Sequence, residues 1–388
     1  MKKCAIVSGS FKDVYSPVEA CEMIRQALPE GFEATMMPFC DGGEYTYDVL
    51  LNTRKYHEVY VDNILNPYFV RVNCRYLVYK DEAHIVSSEI LRILPEEDDK
   101  KNPLVLTDFG LGQLIKHAID GGFKHIFLYL GGTSTVSFGL GLAQAIGVNF
   151  YHKDGTKIEE PLTANDALDI IKYDKSDVNI SMVDITIIGD GDAHSNEMRN
   201  ISKLKISNQY EELKEEILDK LEQCRCAVLR LLDEDENIAF GGAAGGILFG
   251  IRMLFTPKCI LGGAYFKDLL SAESIISDCD LVITGEGRYD NSACGKAPVF
   301  VSRLASKYKK KVYLVCGQVD RRMLFDEDTE IIFASDFPEM KENGIEAIIT
   351  CQKYFNTISS DMDYESRIQY YREKTPLILK EIMRRVAL

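Results

Sequence analysis

The sequence predicts an α/β fold built on a parallel sheet. Three observations carry this reading. Short apolar strands recur with amphipathic helices between them, glycines and acids gather where those strands end, and a β-rich stretch interrupts the first α/β unit. In open parallel sheets ligands collect outside the carboxyl ends of the strands, so chemistry is to be sought in those loops.

The chain has 388 residues, 46% hydrophobic and 27% charged, a globular composition with length enough for two or more domains. No apolar run approaches the roughly 20 residues that span a bilayer. Met1-Lys2-Lys3-Cys4-Ala5-Ile6-Val7 passes straight into strand-like sequence without a cleavage site, so the expectation is a soluble, cytoplasmic protein with no membrane partner. The 11 cysteines are scattered without a CxxC pair and read as reduced thiols rather than a disulfide framework or a zinc site. A formal charge of −15 argues against a nucleic-acid partner, which would need a basic stripe. The densest basic run, Lys307 to Lys311, reads as a solvated helix end.

The first element is the strand Ala5 to Ser8, followed by the loop Gly9-Ser10-Phe11-Lys12. Ser16 as N-cap and Pro17 at the first helical position start an amphipathic helix that runs through Leu28. A second strand, Ala34 to Phe39, ends in Cys40-Asp41-Gly42-Gly43-Glu44. Residues 57 to 94 change character, with short β-rich runs at Glu58 to Val61, Phe69 to Tyr79 and His84 to Ser87 that read as antiparallel. Pro95 to Asn102 is charged and reads as an exposed linker.

A helix from Leu111 to Ile119, the strand His125 to Leu130, the loop Gly131-Gly132-Thr133-Ser134-Thr135 and a small-residue helix from Gly139 to Ile146 come next. The strand Val183 to Ile188 ends in Gly189-Asp190-Gly191-Asp192. Residues 210 to 232 repeat at helical spacing with acids early and bases late, as the helix dipole favours. Gly241 to Gly246 opens an apolar helix through Leu254. The buried strand Asp280 to Ile283 leads into Thr284-Gly285-Glu286-Gly287-Arg288-Tyr289-Asp290, read as a glycine-loosened turn. The α/β rhythm returns with helix Val299 to Lys307, strand Val312 to Cys316, loop Gly317 to Asp320 and strand Glu330 to Ala334.

Three strand ends carry paired acids: Asp41 with Glu44, Asp190 with Asp192, and Glu286 with Asp290. One pair is a common surface turn, but three in one chain point to a cleft holding a divalent ion and a catalytic base. Mg²⁺ needs only one or two of these carboxylates when substrate phosphate supplies the rest. Lys12 and Lys296, each in a glycine-bearing loop, and Arg288 are the candidate phosphate cations. The glycine loops 131 to 135 and 241 to 246 offer backbone N–H groups to an anion, and for the latter close helix packing explains the glycines equally well. Gly295-Lys296-Ala297 lacks the Ser or Thr of a P-loop, and Gly110 with Gly112 completes no dinucleotide fingerprint. His194 is the only histidine near a candidate loop.

Taken together the segments resemble the glycerate kinase family of the 2-phosphoglycerate-forming type. The residues carrying the likeness are Ser10-Phe11-Lys12, Asp41-Gly42-Gly43-Glu44 with Thr46, Asn102-Pro103-Leu104 with Gly110 and Gly112, and Gly131-Gly132. They continue with Gly141 to Gly147, Asp190-Gly191-Asp192, Gly242-Ala243-Ala244-Gly245-Gly246, Thr284 to Arg288 with Asp290, and Gly295-Lys296 with Pro298. The resemblance implies two α/β domains: a Rossmann-like one with a parallel sheet from residues 1–78 and 278–388, and an inserted one with mixed and antiparallel strands from 79–277, with 102–148 assignable to either.

It further implies ATP-dependent phosphorylation of glycerate or a related small hydroxy acid, with Mg²⁺, in a cleft between the domains. On that reading Lys12, Asp190, Asp192 and Arg288 are catalytic. Ser10, Asp41, Glu44, Gly131, Gly132, Thr133, Gly245, Gly246 and Lys296 bind substrate or nucleotide, and Glu286 and Asp290 hold the metal. The partners are ATP and the hydroxy acid, with a homodimer allowed.

The chain departs from the family pattern at Gly9 (usually Asp), Asp13 and Tyr45 (usually Gly), and at Val136-Ser137, where the family carries Asn-Asp. The stretch between Asp290 and Gly295 is about one residue short and lacks the family's Gln. The bulkier Val136 and Phe138 suggest a reshaped acceptor pocket. The altered 133 to 139 loop also motivates an alternative, a weakened relative that only binds nucleotide or hydroxy acid, and a kinase for another sugar acid or polyol differs from the leading reading only in its acceptor.

Overall fold

The computed structural model describes residues 1–92, 99–180, 182–289, 297–320, 329–355 and 362–386. In chain order its strands are β1 (Lys2–Ser8), β2 (Phe32–Pro38), β3 (His57–Leu65), β4 (Arg71–Tyr79), β5 (Glu82–Val86), β6 (His125–Leu130) and β7 (Asn149–His152). They continue with β8 (Ile170–Asp174), β9 (Asp184–Gly189), β10 (Lys258–Leu261), β11 (Leu281–Tyr289), β12 (Lys311–Val319), β13 (Ile331–Phe333) and β14 (Ala347–Thr350).

Two compact units share these strands. The first comprises Met1–Asp41, Tyr45–Arg54 and Gly263–Leu388, and the second Gly42–Glu44 and Lys55–Gly262. The chain changes unit near Arg54 rather than after residue 78, because β3 and β4 pair into the second sheet. It returns at Gly263 rather than 278, because β10 pairs with β9. Residues 102–148 lie in the second unit.

In the first unit the sheet order is β13-β14-β12-β11-β1-β2, parallel throughout except for β13. Its central strands are covered on both faces, which is why β1 reads as a continuous apolar run with Ala5, Ile6 and Val7 fully buried. Period-two alternation divides the core. Ile283, Tyr313, Val315 and Ile349 pack with Ile24 of the helix Pro17–Ala27 and with Leu379 and Ile382 of the helix Tyr364–Arg385. Leu314, Cys316 and Ile348 pack with Val299 of the helix Ala297–Lys307. The first of these helices starts as expected, with a reciprocal cap in which Glu19 N donates to Ser16 Oγ and Ser16 N to the Glu19 carboxylate.

One expectation fails in an informative way. β11 does not end at Ile283 but continues through Tyr289, pairing Glu286 with Cys316 and Arg288 with Gln318 of β12. The presumed turn at 284 to 289 is therefore strand, and so is Gly317 to Val319 opposite it. The glycines are there for space rather than for a bend. A Cβ at Gly285 would lie 2.2 Å from Ser8 Oγ, and one at Gly287 would lie 3.2 Å from Phe11 Cα.

The second unit holds a six-stranded sheet, β10-β9-β6-β5-β4-β3. Its β5, β6, β9 and β10 run parallel, whereas β3, β4 and β5 form the antiparallel meander read from residues 57 to 94. β7 and β8 make a separate antiparallel pair. None of the helices is long and apolar enough to cross a membrane, among the described residues.

Candidate active site

Strand register brings the candidate loops of each unit together. In the second unit β6 and β9 are parallel with Leu130 opposite Gly189, so the chains leaving them run side by side. Asp190 N donates to Leu130 O at 3.0 Å. Gly131 then sits where no side chain fits: a Cβ there would lie 2.7 Å from Asp190 Oδ2 and 2.7 Å from Gly43 Cα. Gly132 follows in the left-handed region at φ +63°, with a Cβ position 3.3 Å from Glu44 Cγ. Ser87 Oγ fixes the loop by bonding both the N–H and the carbonyl of Gly131 at 3.2 Å. Glu44, Gly131, Gly132 and Asp190 thus converge in one unit, although they are far apart in sequence.

A residue not singled out from the sequence joins them. Lys205 ends the short turn Lys203–Lys205, and its Nζ donates to Thr133 Oγ1 at 3.0 Å and to Thr135 O at 2.9 Å. The side chain is half-buried, with its ammonium turned onto this loop. That burial pulls its pKa from the usual 10.5 to about 8, against the opposing pull of the Asp190 carboxylate. In sequence Lys205 looked like one more lysine on a charged stretch, and only its position against a loop 72 residues upstream distinguishes it.

The other second-unit candidates are placed differently. Asp192 is exposed, and its carbonyl accepts from Phe240 N. His194 has Nδ1 2.7 Å from Asn237 Oδ1 and its N–H on Glu197, which closes a cap on the next turn. Gly245 and Gly246 are buried against the 135–138 backbone: a Cβ at Gly245 would lie 2.0 Å from Thr135 O, and Phe138 N donates to Gly245 O. Gly242 N donates to Ala193 O. What the structure displays for this glycine loop is the packing reading, a brace joining the 189–194 and 135–138 segments. Val136 and Phe138 are each 1% exposed and belong to the hydrophobic core, so neither reshapes a pocket wall. The apolar character of this segment follows from its inward orientation. Asp108, fully buried, accepts from Gly139 N and Leu142 N and so holds the start of the helix Leu140–Ile146; burial raises its pKa against these bonds.

In the first unit β1 and β11 are parallel with Ser8 opposite Gly285, which sets the loop after β1 along the end of β11. Gly9 N donates to Gly285 O at 3.0 Å and Gly287 N to Ser10 O at 3.3 Å. Glu286 Oε2 is 3.5 Å from the position of a Cβ on Gly9, so Glu286 stands beside the place where the family usually has an aspartate. Glu286 and Arg288 are two residues apart on a strand and therefore project from the same face. Asp41 follows the chain out of β2, whose exit is tied to β1 by Phe39 N donating to Ser8 O.

Lys12 is exposed and held at φ +43°, with Tyr45 Oη donating to its carbonyl at 2.7 Å. Tyr45 itself sits at φ +62°, a conformation that favours the glycine common at this position in the family. Tyr364 Oη donates to Asp13. Two departures from the family pattern, Asp13 and Tyr45, thus both take part in bracing the Lys12 loop. Asp290 and Lys296 lie outside the described residues.

Parallel strand ends that carry carboxylates and closely packed glycine backbones, with lysines beside them, fit an α/β phosphotransferase. The chain belongs to the glycerate kinase family, whose pattern matches residues 4–342. It is 27% identical over 391 residues to a glycerate kinase of Bacillus cereus (strain ATCC 10987 / NRS 248), covering 98% of this chain and 97% of the relative. It is 28% identical over 335 residues to the glycerate 2-kinase of Escherichia coli (strain K12), covering 82% and 85%. The crystal structure of a glycerate kinase 2 candidate from Salmonella typhimurium LT2 superposes with a TM-score of 0.71 at 24% identity, over 99% of this chain and 98% of that one, and shares its fold.

Proposed function

We propose that the protein transfers the γ-phosphoryl group of ATP to a hydroxyl of glycerate, or of a closely related small hydroxy acid, with Mg²⁺. The observation that carries this is the family match over most of the chain together with Asp190 set against Gly131 and Gly43. Asp190 takes the proton of the acceptor hydroxyl as its oxygen bonds to the γ-phosphorus and the bond to the β-γ bridging oxygen breaks. Asp192 stands two residues on as a second acid. Lys12 and Arg288, with Lys296, balance the phosphate charge, and Ser10, Thr133 and the glycine backbones orient the substrates.

Among the described residues no group of three or more His, Cys, Asp or Glu side chains forms a metal cage. Mg²⁺ suits the chemistry at the end of β11, where Glu286, beside Gly9, would give one of the one or two hard oxygen ligands it takes from protein when phosphates and water provide the others, with Asp290, outside the described residues, as the second candidate. When bound it would supply positive charge that neutralises the phosphates. The burial of Val136 and Phe138 in the core removes the reshaped pocket as a reason for altered activity, while Val136-Ser137 still stands where the family carries Asn-Asp.

A screen of Mg²⁺-dependent ATP consumption over small hydroxy acids and polyols tests the reading. Turnover with glycerate supports it, and tight ATP binding with no turnover of any acceptor overturns it. Light scattering on the eluted protein separates a monomer from the homodimer that the reading allows.

A further inference from the structure

Lys205 has three N–H donors, and the two bonds the structure shows go to neutral oxygens, Thr133 Oγ1 and Thr135 O. A positive charge drawn into protein is expensive unless an anion answers it. Asp190 is the charged group that acts on this ammonium. A second signal lies in the same loop: Thr135 is fully buried, and its Oγ1 has no hydrogen-bond partner among the described residues. The Gly131 backbone beside them has no room for a Cβ. A cation with donor capacity left is therefore bonded to the loop that carries a buried hydroxyl without a partner among the described residues, within electrostatic reach of the carboxylate assigned as base.

The geometry of the acceptor says which anion fits. In a 2-hydroxy acid the carboxylate is attached to the carbon that bears the hydroxyl. If Asp190 receives the hydroxyl proton, a cation in its electrostatic reach is placed for that carboxylate, while the phosphate cations belong to the other unit, Lys12 in the loop after β1 and Arg288 on β11. We propose that Lys205 binds the carboxylate of the acceptor, with Thr133 and Thr135 holding the ammonium in position, and so selects hydroxy acids over neutral polyols. This rests on the proposed function for the identity of the acceptor.

Calorimetric binding of D-glycerate without nucleotide tests Lys205 apart from turnover. Lys205→Met is expected to weaken the dissociation constant about 10- to 100-fold, the loss of one hydrogen bond to a charged group, with ATP binding unchanged. Lys205→Arg, which keeps the charge, should retain part of the affinity. In the wild type glycerate affinity should fall by up to about tenfold per pH unit above pH 8, because binding must then take up a proton. In Lys205→Met that dependence should vanish. In turnover, KM for glycerate should rise more than kcat falls.

Equal glycerate affinity in wild type and Lys205→Met overturns the proposal, as does absence of glycerate binding to the wild type. A variant that melts early yet binds glycerate normally shows Lys205 to be a brace for the loop, which also overturns it. If Lys205→Met does not fold, Lys205→Arg and the wild-type pH dependence still decide. Failure of every hydroxy acid in turnover, with lysine-dependent glycerate binding intact, would count against the kinase reading and leave the carboxylate site standing.

Discussion

Gly131→Ala is the substitution whose consequence is most directly computable. The added methyl would lie 2.7 Å from Asp190 Oδ2, 3.0 Å from Asp190 Cγ and 2.7 Å from Gly43 Cα. Carbon atoms in contact prefer about 3.5–4.0 Å, so the overlap with Gly43 is on the order of 1 Å. Gly43 presents backbone, not a side chain that can swing away. The Gly43 and Gly131 loops must part, or Asp190 must leave its place. Overpacking of this kind costs about 1–3 kcal/mol of stability. Displacement of a reacting group by about 1 Å costs on the order of 100-fold in rate.

Gly132→Ala is the control. It meets Glu44 Cγ, which can rotate away, and Ser88 Cβ at the milder distance of 3.3 Å, and its main penalty is the φ of +63°, about 1–2 kcal/mol. The two variants should therefore lose similar stability in urea unfolding but differ in kcat/KM, with Gly131→Ala lower by at least about tenfold. Unchanged kcat/KM in Gly131→Ala would refute the claim that Gly43, Gly131 and Asp190 form one working constellation.

Other outcomes follow from the same geometry. Asp190→Asn should lower kcat by about 10²–10⁴-fold in steady-state assays while ATP binding is retained, the usual contribution of a positioned base. Tyr45→Phe removes the bond to Lys12 O and should raise KM for ATP a few-fold, in keeping with about 0.5–1.5 kcal/mol for one hydrogen bond. Asp108→Ala strands the N–H groups of Gly139 and Leu142 and should cost roughly 2–5 kcal/mol in urea unfolding. For Lys205 the folded pKa is lowered, to about 8 from 10.5, so between those values the unfolded chain holds more protons. Stability of the ligand-free wild type relative to Lys205→Met should therefore rise as pH increases from about 8 to 10.5, measured by denaturant midpoints across that range.

Local signals were readable without tertiary information. The helix beginning at Pro17 was legible because its cap is made by residues three apart, and β6 matches the strand read at His125 to Leu130. The antiparallel character of residues 57 to 94 was visible in their alternation. The extension of β11 through Arg288 was not, since glycines at 285 and 287 mimic a turn unless Ser8 and Phe11 are known to press on them. The 22-residue helix Tyr364–Arg385 went unread, its charged surface and internal Pro376 masking the buried Leu379, Ile382 and Met383. Val136 and Phe138 were read as pocket residues because only packing reveals which way a loop side chain turns.

Taken alone, the order of residues determined the α/β class, the family and the fact that acids and glycines follow strands, because each of these is written in short contiguous segments. Tertiary structure decided which of those segments meet. Leu130 opposite Gly189 sets Gly131 beside Asp190, and Ser8 opposite Gly285 sets Gly9 beside Glu286. A parallel ladder joins strands distant in sequence, so its register, and the packing that sets Lys205 Nζ against Thr133 and Thr135, exist only once the sheets have formed.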